Sequence, residues 1–179
     1  MLKHVPNILT IVRFFLIPFI VIFALQGNYI IATTFLVLSG FTDVADGYIA
    51  RKFNFITDFG KLMDPLADKC TQVATLVVLV VQEIIPIWIL MIVIIKEFLL
   101  VAGASFLYGK DLVVSSKWYG KVSTVLFYVA IFCSMIIEQF GLPYEFDNYI
   151  YYLAIILTVF SLVMYFKAFY IKDFLKKNK

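Results

Sequence analysis

Asp43-Val-Ala-Asp46-Gly47-Tyr-Ile-Ala50-Arg51 is followed, eight residues later, by Gly60-Lys-Leu-Met-Asp64-Pro-Leu-Ala-Asp68. The two runs place four carboxylates in a chain that is 63% hydrophobic and only 15% charged. A carboxylate at the centre of a bilayer costs roughly 2.5 to 3.5 kcal/mol on insertion scales, so such residues among apolar segments mark a site by default. Their spacing is helical. Asp43, Asp46, Gly47 and Ala50 stand at i, i+3, i+4 and i+7 on one helix face, and Gly60, Asp64 and Asp68 at i, i+4 and i+8 on a second. A short polar bend, Asn54 to Asp58, predicts that the two helices are antiparallel neighbours with their carboxylates gathered at one end.

Outward from these runs the chain divides into six apolar segments, about 6–25, 28–51, 60–83, 86–108, 118–139 and 148–172. Each is near the roughly 20 residues that span a hydrocarbon core. None alternates with a period of two, and backbone groups in lipid must be bonded within their own segment, so helices are expected rather than a barrel. The expectation is an all-α integral membrane protein, one compact bundle of six transmembrane helices forming a single domain over residues 1–179. Lys3 and His4 before the first apolar segment resemble the start of a secretory signal. The segment's length, and the lack of a small-x-small cleavage site, predict that it is retained as the first helix. Turn signals stand at Gln26-Gly27-Asn28, at Gln82-Glu83 with Pro86, and at Gly141-Leu142-Pro143.

Basic residues set the orientation. The turns at Gln26 to Tyr29, Gln82 to Pro86 and Glu138 to Tyr149 hold no Lys or Arg. The opposite turns hold Arg51, Lys52, Lys61, Lys69, Lys110, Lys117 and Lys121, and the tails add Lys3, Lys172, Lys176, Lys177 and Lys179. The positive-inside rule places the aspartates and both termini on the cytoplasmic side of the cell membrane. The net charge of +3 is then a rim for anionic lipid headgroups and calls for no nucleic acid. Cys70 and Cys133 lie in different apolar segments without metal-ligand spacing and are read as packing residues.

Four carboxylates in one place repel one another unless cations offset them. Hard oxygen donors select Mg²⁺, Mn²⁺ or Ca²⁺, and Mg²⁺ keeps positions open for water and substrate phosphates. Gly47, Ala50 and Gly60 leave room for a ligand close to the backbone, and Arg51 offers a fork suited to phosphate. A two-metal site that activates a pyrophosphate follows. Pro65 is expected in the first turns of its helix, where a missing N–H does least harm, and Asp58 is read as a helix cap or a solvated loop residue.

The pattern Asp-x-x-Asp-Gly-x-x-Ala-Arg, eight residues, Gly-x-x-x-Asp-x-x-x-Asp resembles the signature of the CDP-alcohol phosphatidyltransferases, with every signature position matched. Pro6-Asn7-Ile-Leu-Thr10-Ile-Val-Arg13 is similar to that family's start of helix one. The resemblance implies transfer of a phosphatidyl group from CDP-diacylglycerol to an alcohol, with release of CMP, by a membrane homodimer whose six-helix protomers each enclose a polar cavity open to the cytoplasm. It implies that Asp43, Asp46, Asp64 and Asp68 bind two ions, Mg²⁺ or Mn²⁺, and that Asp68 also acts as general base. Asn7, Thr10, Gly47, Ala50, Arg51, Thr57 and Gly60 would border the CDP moiety.

For the acceptor, Leu62 to Lys69 and the Lys96-Glu97 pair resemble the branch that uses glycerol 3-phosphate. That branch has an Arg one and a half to two turns after the pair, where Ala104 stands here, and Gly-Lys-x-Lys-Thr where this chain has Gly120-Lys121-Val122-Ser123-Thr124. The second string is also similar to CDP-dependent cardiolipin synthases, which use phosphatidylglycerol. Glycerol 3-phosphate is the expected acceptor and cardiolipin synthesis the alternative, with Lys96, Lys117 and Lys121, and also Lys110, supplying acceptor-side cations. Lys96, with Glu97 beside it, is expected to face the cavity. A cation transporter is the rival of another class, but transporters show internal repeats and broken helices in two halves, whereas these aspartates occupy one hairpin. Membrane prenyltransferases carry their two aspartate motifs in separate halves of a longer chain.

Overall fold

A computed structural model describes residues 5–53, 58–108, 118–143 and 146–177. Six α-helices follow in order: α1 Val5–Leu25, α2 Tyr29–Lys52, α3 Asp58–Val81, α4 Ile87–Tyr108, α5 Trp118–Phe140 and α6 Phe146–Lys177. Every regular element among the described residues is helical, as the long apolar runs without alternation require. Among the described residues, four helices contain spans long and apolar enough to cross a membrane: Ile8–Leu25, Tyr29–Ile49, Gly120–Phe140 and Phe146–Met164. Their outward faces carry large apolar side chains that no protein covers, among them Phe15, Phe41, Val44, Val125 and Ile156. A helix apolar on its outer face is built for a lipid surround, and the chain is a multi-pass membrane protein.

The helices stop by a shared device. Gly27 (φ +74°) takes the left-handed conformation after α1, with its N–H on the Ala24 carbonyl at 3.0 Å and the Asn28 N–H on that of Phe23 at 2.9 Å. Gly141 (φ +57°) does the same after α5, through the carbonyls of Glu138 and Ile137. This paired bonding satisfies carbonyls that a helix end otherwise leaves open. After α3 the left-handed position is Glu83 (φ 59°), a residue with a Cβ and therefore under local strain. All three stops fall at the turn signals read from the sequence.

The chain forms two compact units, residues 1–90 with 132–143, and residues 91–131 with 144–179. In the first, α1 packs against both α2 and α3, which touch each other little among the described residues. Each of the two aspartate-bearing helices, expected as direct neighbours, also stands against α1. Leu16, Ile20 and Ala24 of α1 form its buried stripe at i+4 spacing, and Ala32, Leu36, Leu76 and Leu79 complete the apolar interior. Phe35 stacks with Phe19 and Phe23, ring centroids 5.4 and 5.7 Å away. Two amides close helix ends: the Gln82 Nε2 donates to the carbonyls of Ala24 and Leu25 at 3.2 and 3.0 Å, and the Gln139 Oε1 accepts from the Ile30 N–H at 3.1 Å.

The second unit packs α4, α5 and α6 around Val93, Phe127, Ala130, Tyr151 and Ala154. The Ser123 and Thr158 hydroxyls pair at 2.6 Å in its interior.

Pro65 departs from expectation. Because α3 begins at Asp58, Pro65 is its eighth residue and lies beyond the first turn. The ring removes the hydrogen bond that residue 65 would donate to the carbonyl of residue 61, inside the helix and directly beside Asp64.

Candidate active site

Arg13 is the centre of the site. It is 1% exposed on α1, a helix otherwise apolar at that depth. Its Nη1 lies 2.8 Å from the Asp43 Oδ1, its Nη2 lies 2.5 Å from the Asp46 Oδ2, and Nη1 also donates to the backbone carbonyl of Asp64 at 3.5 Å. One turn earlier on the same face of α1, the Thr10 Oγ1 donates to the Asp64 Oδ1 in a short hydrogen bond. Two residues of α1 thus hold three aspartates from α2 and α3.

The aspartates differ in surroundings. Asp46 is 2% exposed and meets Arg13 in the interior, whereas the Asp43 side chain is half exposed. Asp64 and Asp68 are intermediate. Asp43 lies within electrostatic reach of Asp64 and Asp68, and Asp46 of Asp64 and Asp43. Gly60 is buried and Gly47 partly so. The side chains of Asn7, Ala50 and Arg51 lie outside those described, and Thr57 and Lys117 lie outside the described residues altogether.

The side-chain donors of the cluster are carboxylate and hydroxyl oxygens, a set that suits a hard divalent cation and not a soft one. Among the described residues, no three carboxylates are gathered tightly enough to enclose an ion in this conformation, in which Arg13 bridges two of them. In this conformation the cation that Asp43 and Asp46 meet is the Arg13 guanidinium.

On the second unit, Lys96 is 5% exposed. Its ammonium pairs with the Glu97 Oε1 at 2.9 Å, reaches the Thr124 Oγ1 at 3.5 Å and lies 5.9 Å from the centre of the Phe127 ring. Both members of the Lys96-Glu97 pair are thus largely enclosed by protein and do not point outward to lipid. Lys121, at the start of α5, is exposed.

Arg13 is the residue whose role sequence reading missed. It entered only as the end of a helix-one string, although an arginine within an apolar helix demands a partner. That rule, applied to Arg13 as it was to the aspartates, is the signal that finds it.

A family model described as CDP-alcohol phosphatidyltransferase matches residues 3–164. The CDP-diacylglycerol–glycerol-3-phosphate 3-phosphatidyltransferase of Bacillus subtilis is 32% identical, over 91% of this chain and 93% of its own. The Haemophilus influenzae protein of the same name is 33% identical, over 92% of each chain. A cardiolipin synthase (CMP-forming)/mitochondrial hydrolase fusion protein of Schizosaccharomyces pombe is 37% identical, but over 60% of this chain and 18% of its own.

Proposed function

The chain belongs to the CDP-alcohol phosphatidyltransferase family, and from that premise we propose that it transfers the phosphatidyl group of CDP-diacylglycerol to glycerol 3-phosphate, giving phosphatidylglycerol phosphate and CMP. The observation that carries this reading is the convergence of Thr10 and Arg13 on Asp43, Asp46 and Asp64, all residues of the two resembled strings. Relatives matched along nearly their whole length support the choice of acceptor.

Asp43, Asp46, Asp64 and Asp68 are the residues that would hold two Mg²⁺ or Mn²⁺ ions, which would supply positive charge opposite the pyrophosphate and the departing CMP. Thr10 orients the Asp64 carboxylate through its hydrogen bond, and Arg13 fixes Asp43 against Asp46. Asp68 takes the proton of the acceptor hydroxyl. The freed oxygen forms a bond to the phosphorus that carries diacylglycerol, and the bond from that phosphorus to the bridging oxygen breaks, so CMP leaves with the bridging oxygen. Asn7, Gly47, Ala50, Arg51, Thr57 and Gly60 border the CDP moiety, and Lys96, Lys117 and Lys121 serve the acceptor phosphate.

The surrounding architecture in this proposal is a homodimer whose protomers are single six-helix domains, each crossing the cell membrane six times around a polar cavity. The cavity and both termini face the cytoplasm, where the basic residues are concentrated. A site at that edge lets the acyl chains stay in lipid while the nucleotide meets water.

The test is CMP and lipid product from purified protein with CDP-diacylglycerol and Mg²⁺, offered glycerol 3-phosphate, phosphatidylglycerol, serine or inositol phosphate in turn. Phosphatidylglycerol phosphate from the first acceptor is the expected outcome. Product from phosphatidylglycerol alone would instead mark a cardiolipin synthase, the reading that Ser123 and the partial Schizosaccharomyces pombe match favour. No CMP with any acceptor would refute the enzyme.

A further inference from the structure

The Arg13 guanidinium spans the two carboxylates of α2, with Nη1 2.8 Å from the Asp43 Oδ1 and Nη2 2.5 Å from the Asp46 Oδ2. A cation that bridges two members of a hard oxygen set does there what a divalent ion would do. Two observations bear on how completely the site is built around it. The Arg13 Nε is buried without a hydrogen-bond partner among the described residues, and the reach of Nη1 to the Asp64 carbonyl, 3.5 Å, is at the outer limit of a hydrogen bond. A guanidinium has five N–H donors, and buried donors are nearly always met, so this one is held by its two carboxylates and by little else. The pair is also open on one side: the Asp43 side chain is half exposed, whereas that of Asp46 is enclosed.

Each carboxylate has about four lone-pair sites, so lone pairs alone do not force Arg13 and an ion to exclude each other. Charge does. A divalent ion shared by Asp43 and Asp46 would stand within a few ångströms of a buried guanidinium, where water screens like charges poorly.

We propose that Arg13 is a built-in competitor of the divalent ions: it holds Asp43 against Asp46 until ions load, gives up that bridge as they do, and thereby sets the ion concentration at which the site fills. The inference rests on the proposed role of the four aspartates as metal ligands and is independent of the acceptor. Arg13 is then a positioning residue that acts through Asp43 and Asp46. Its fork is essential to the bridge, because a lysine ammonium keeps the charge but is a point without the rigid pair of donors.

The probe is Mn²⁺ alone, titrated into the purified protein in detergent and followed by loss of the free-ion electron paramagnetic resonance signal, for wild type, Arg13→Lys and Arg13→Gln. Arg13→Gln is expected to bind Mn²⁺ about tenfold more tightly than wild type, a usual size for coupling between two ligands, with Arg13→Lys between them. Thermal unfolding gives a second readout. With chelator Arg13→Gln melts below wild type, and saturating Mg²⁺ raises its melting temperature by more than it raises that of wild type, since the tighter ligand stabilises more. If Arg13→Gln does not fold, Arg13→Lys decides alone, by binding Mn²⁺ more tightly than wild type or not. Variants that bind Mn²⁺ as wild type does, or more weakly, would overturn the competition while leaving the metal site intact. Arg13→Lys equal to wild type beside a tighter Arg13→Gln would overturn the bridge as the cause, because nearby charge alone would explain both. Wild type that binds no Mn²⁺ would overturn the proposed metal site, and this inference with it.

Discussion

Arg13 and Asp46 are each almost fully buried, at 1% and 2% exposure, and their charges meet at 2.5 Å. Removing one partner of such a pair leaves the other charged and unsolvated, which costs about 3–5 kcal/mol. Arg13→Gln is therefore expected to lower stability by about that amount in a detergent unfolding experiment. Asp46→Asn added to it should restore part of the loss, since the two effects are coupled; strictly additive losses would contradict the pair. Thr10→Val removes a hydroxyl that bonds a carboxylate, a contact worth about 1.5–3 kcal/mol, so turnover should fall roughly tenfold to a hundredfold, with Thr10→Ser close to wild type. The aspartates were legible in the sequence because their order is local: i+3 and i+4 spacing within one helix announces a shared face. Arg13 was not, because its partners lie 30 and 33 residues away on another helix, and only packing reveals them.

At the scale of the element, the six helices follow from six apolar runs, and two of their ends follow from Gly27 and Gly141, which supply the left-handed residue that closes a helix. Glu83 does the same work at the end of α3 with a side chain unsuited to it. Glu83→Gly should raise stability by about 0.5–1 kcal/mol, the relief of left-handed strain less the flexibility that glycine adds to the unfolded chain. A lowered melting temperature would show that the Glu83 side chain holds something that outweighs the strain. Gln82→Ala strips two hydrogen bonds from the last carbonyls of α1 and should cost about 1 kcal/mol. The position of Pro65 was misjudged in sequence because a helix start is poorly marked where polar residues run on from the bend. α3 begins at Asp58, not at Gly60, which moves the proline from the sixth helical residue to the eighth, farther beyond the first four, whose N–H groups have no acceptor within the helix. The packing of α1 against both α2 and α3 was equally illegible, since the length of the bend between α2 and α3 fixes their direction but not which helix stands against which.

At the scale of the molecule, a greasy chain gathers four aspartates on α2 and α3 against Thr10 and Arg13 of α1, and its membrane-length helices carry exposed apolar side chains. The proposal makes that arrangement an enzyme whose chemistry happens where the lipid headgroup meets water. It predicts that chelation of divalent cations abolishes CMP release and that Mg²⁺ or Mn²⁺ restores it; activity indifferent to chelator would remove the ions from the account. Asp68→Asn should stop turnover yet still bind nucleotide, because the general base is lost while Asp43, Asp46 and Asp64 remain. The measurement that bears most directly on the central claim is the initial rate of CMP release from CDP-diacylglycerol, with glycerol 3-phosphate and Mg²⁺, by wild type and by Asp64→Asn side by side. The account predicts one CMP for each lipid product formed by wild type, and a rate lower by at least about a hundredfold in the variant, the loss of several kcal/mol of charge stabilisation. A variant that turns over at the wild-type rate would contradict it.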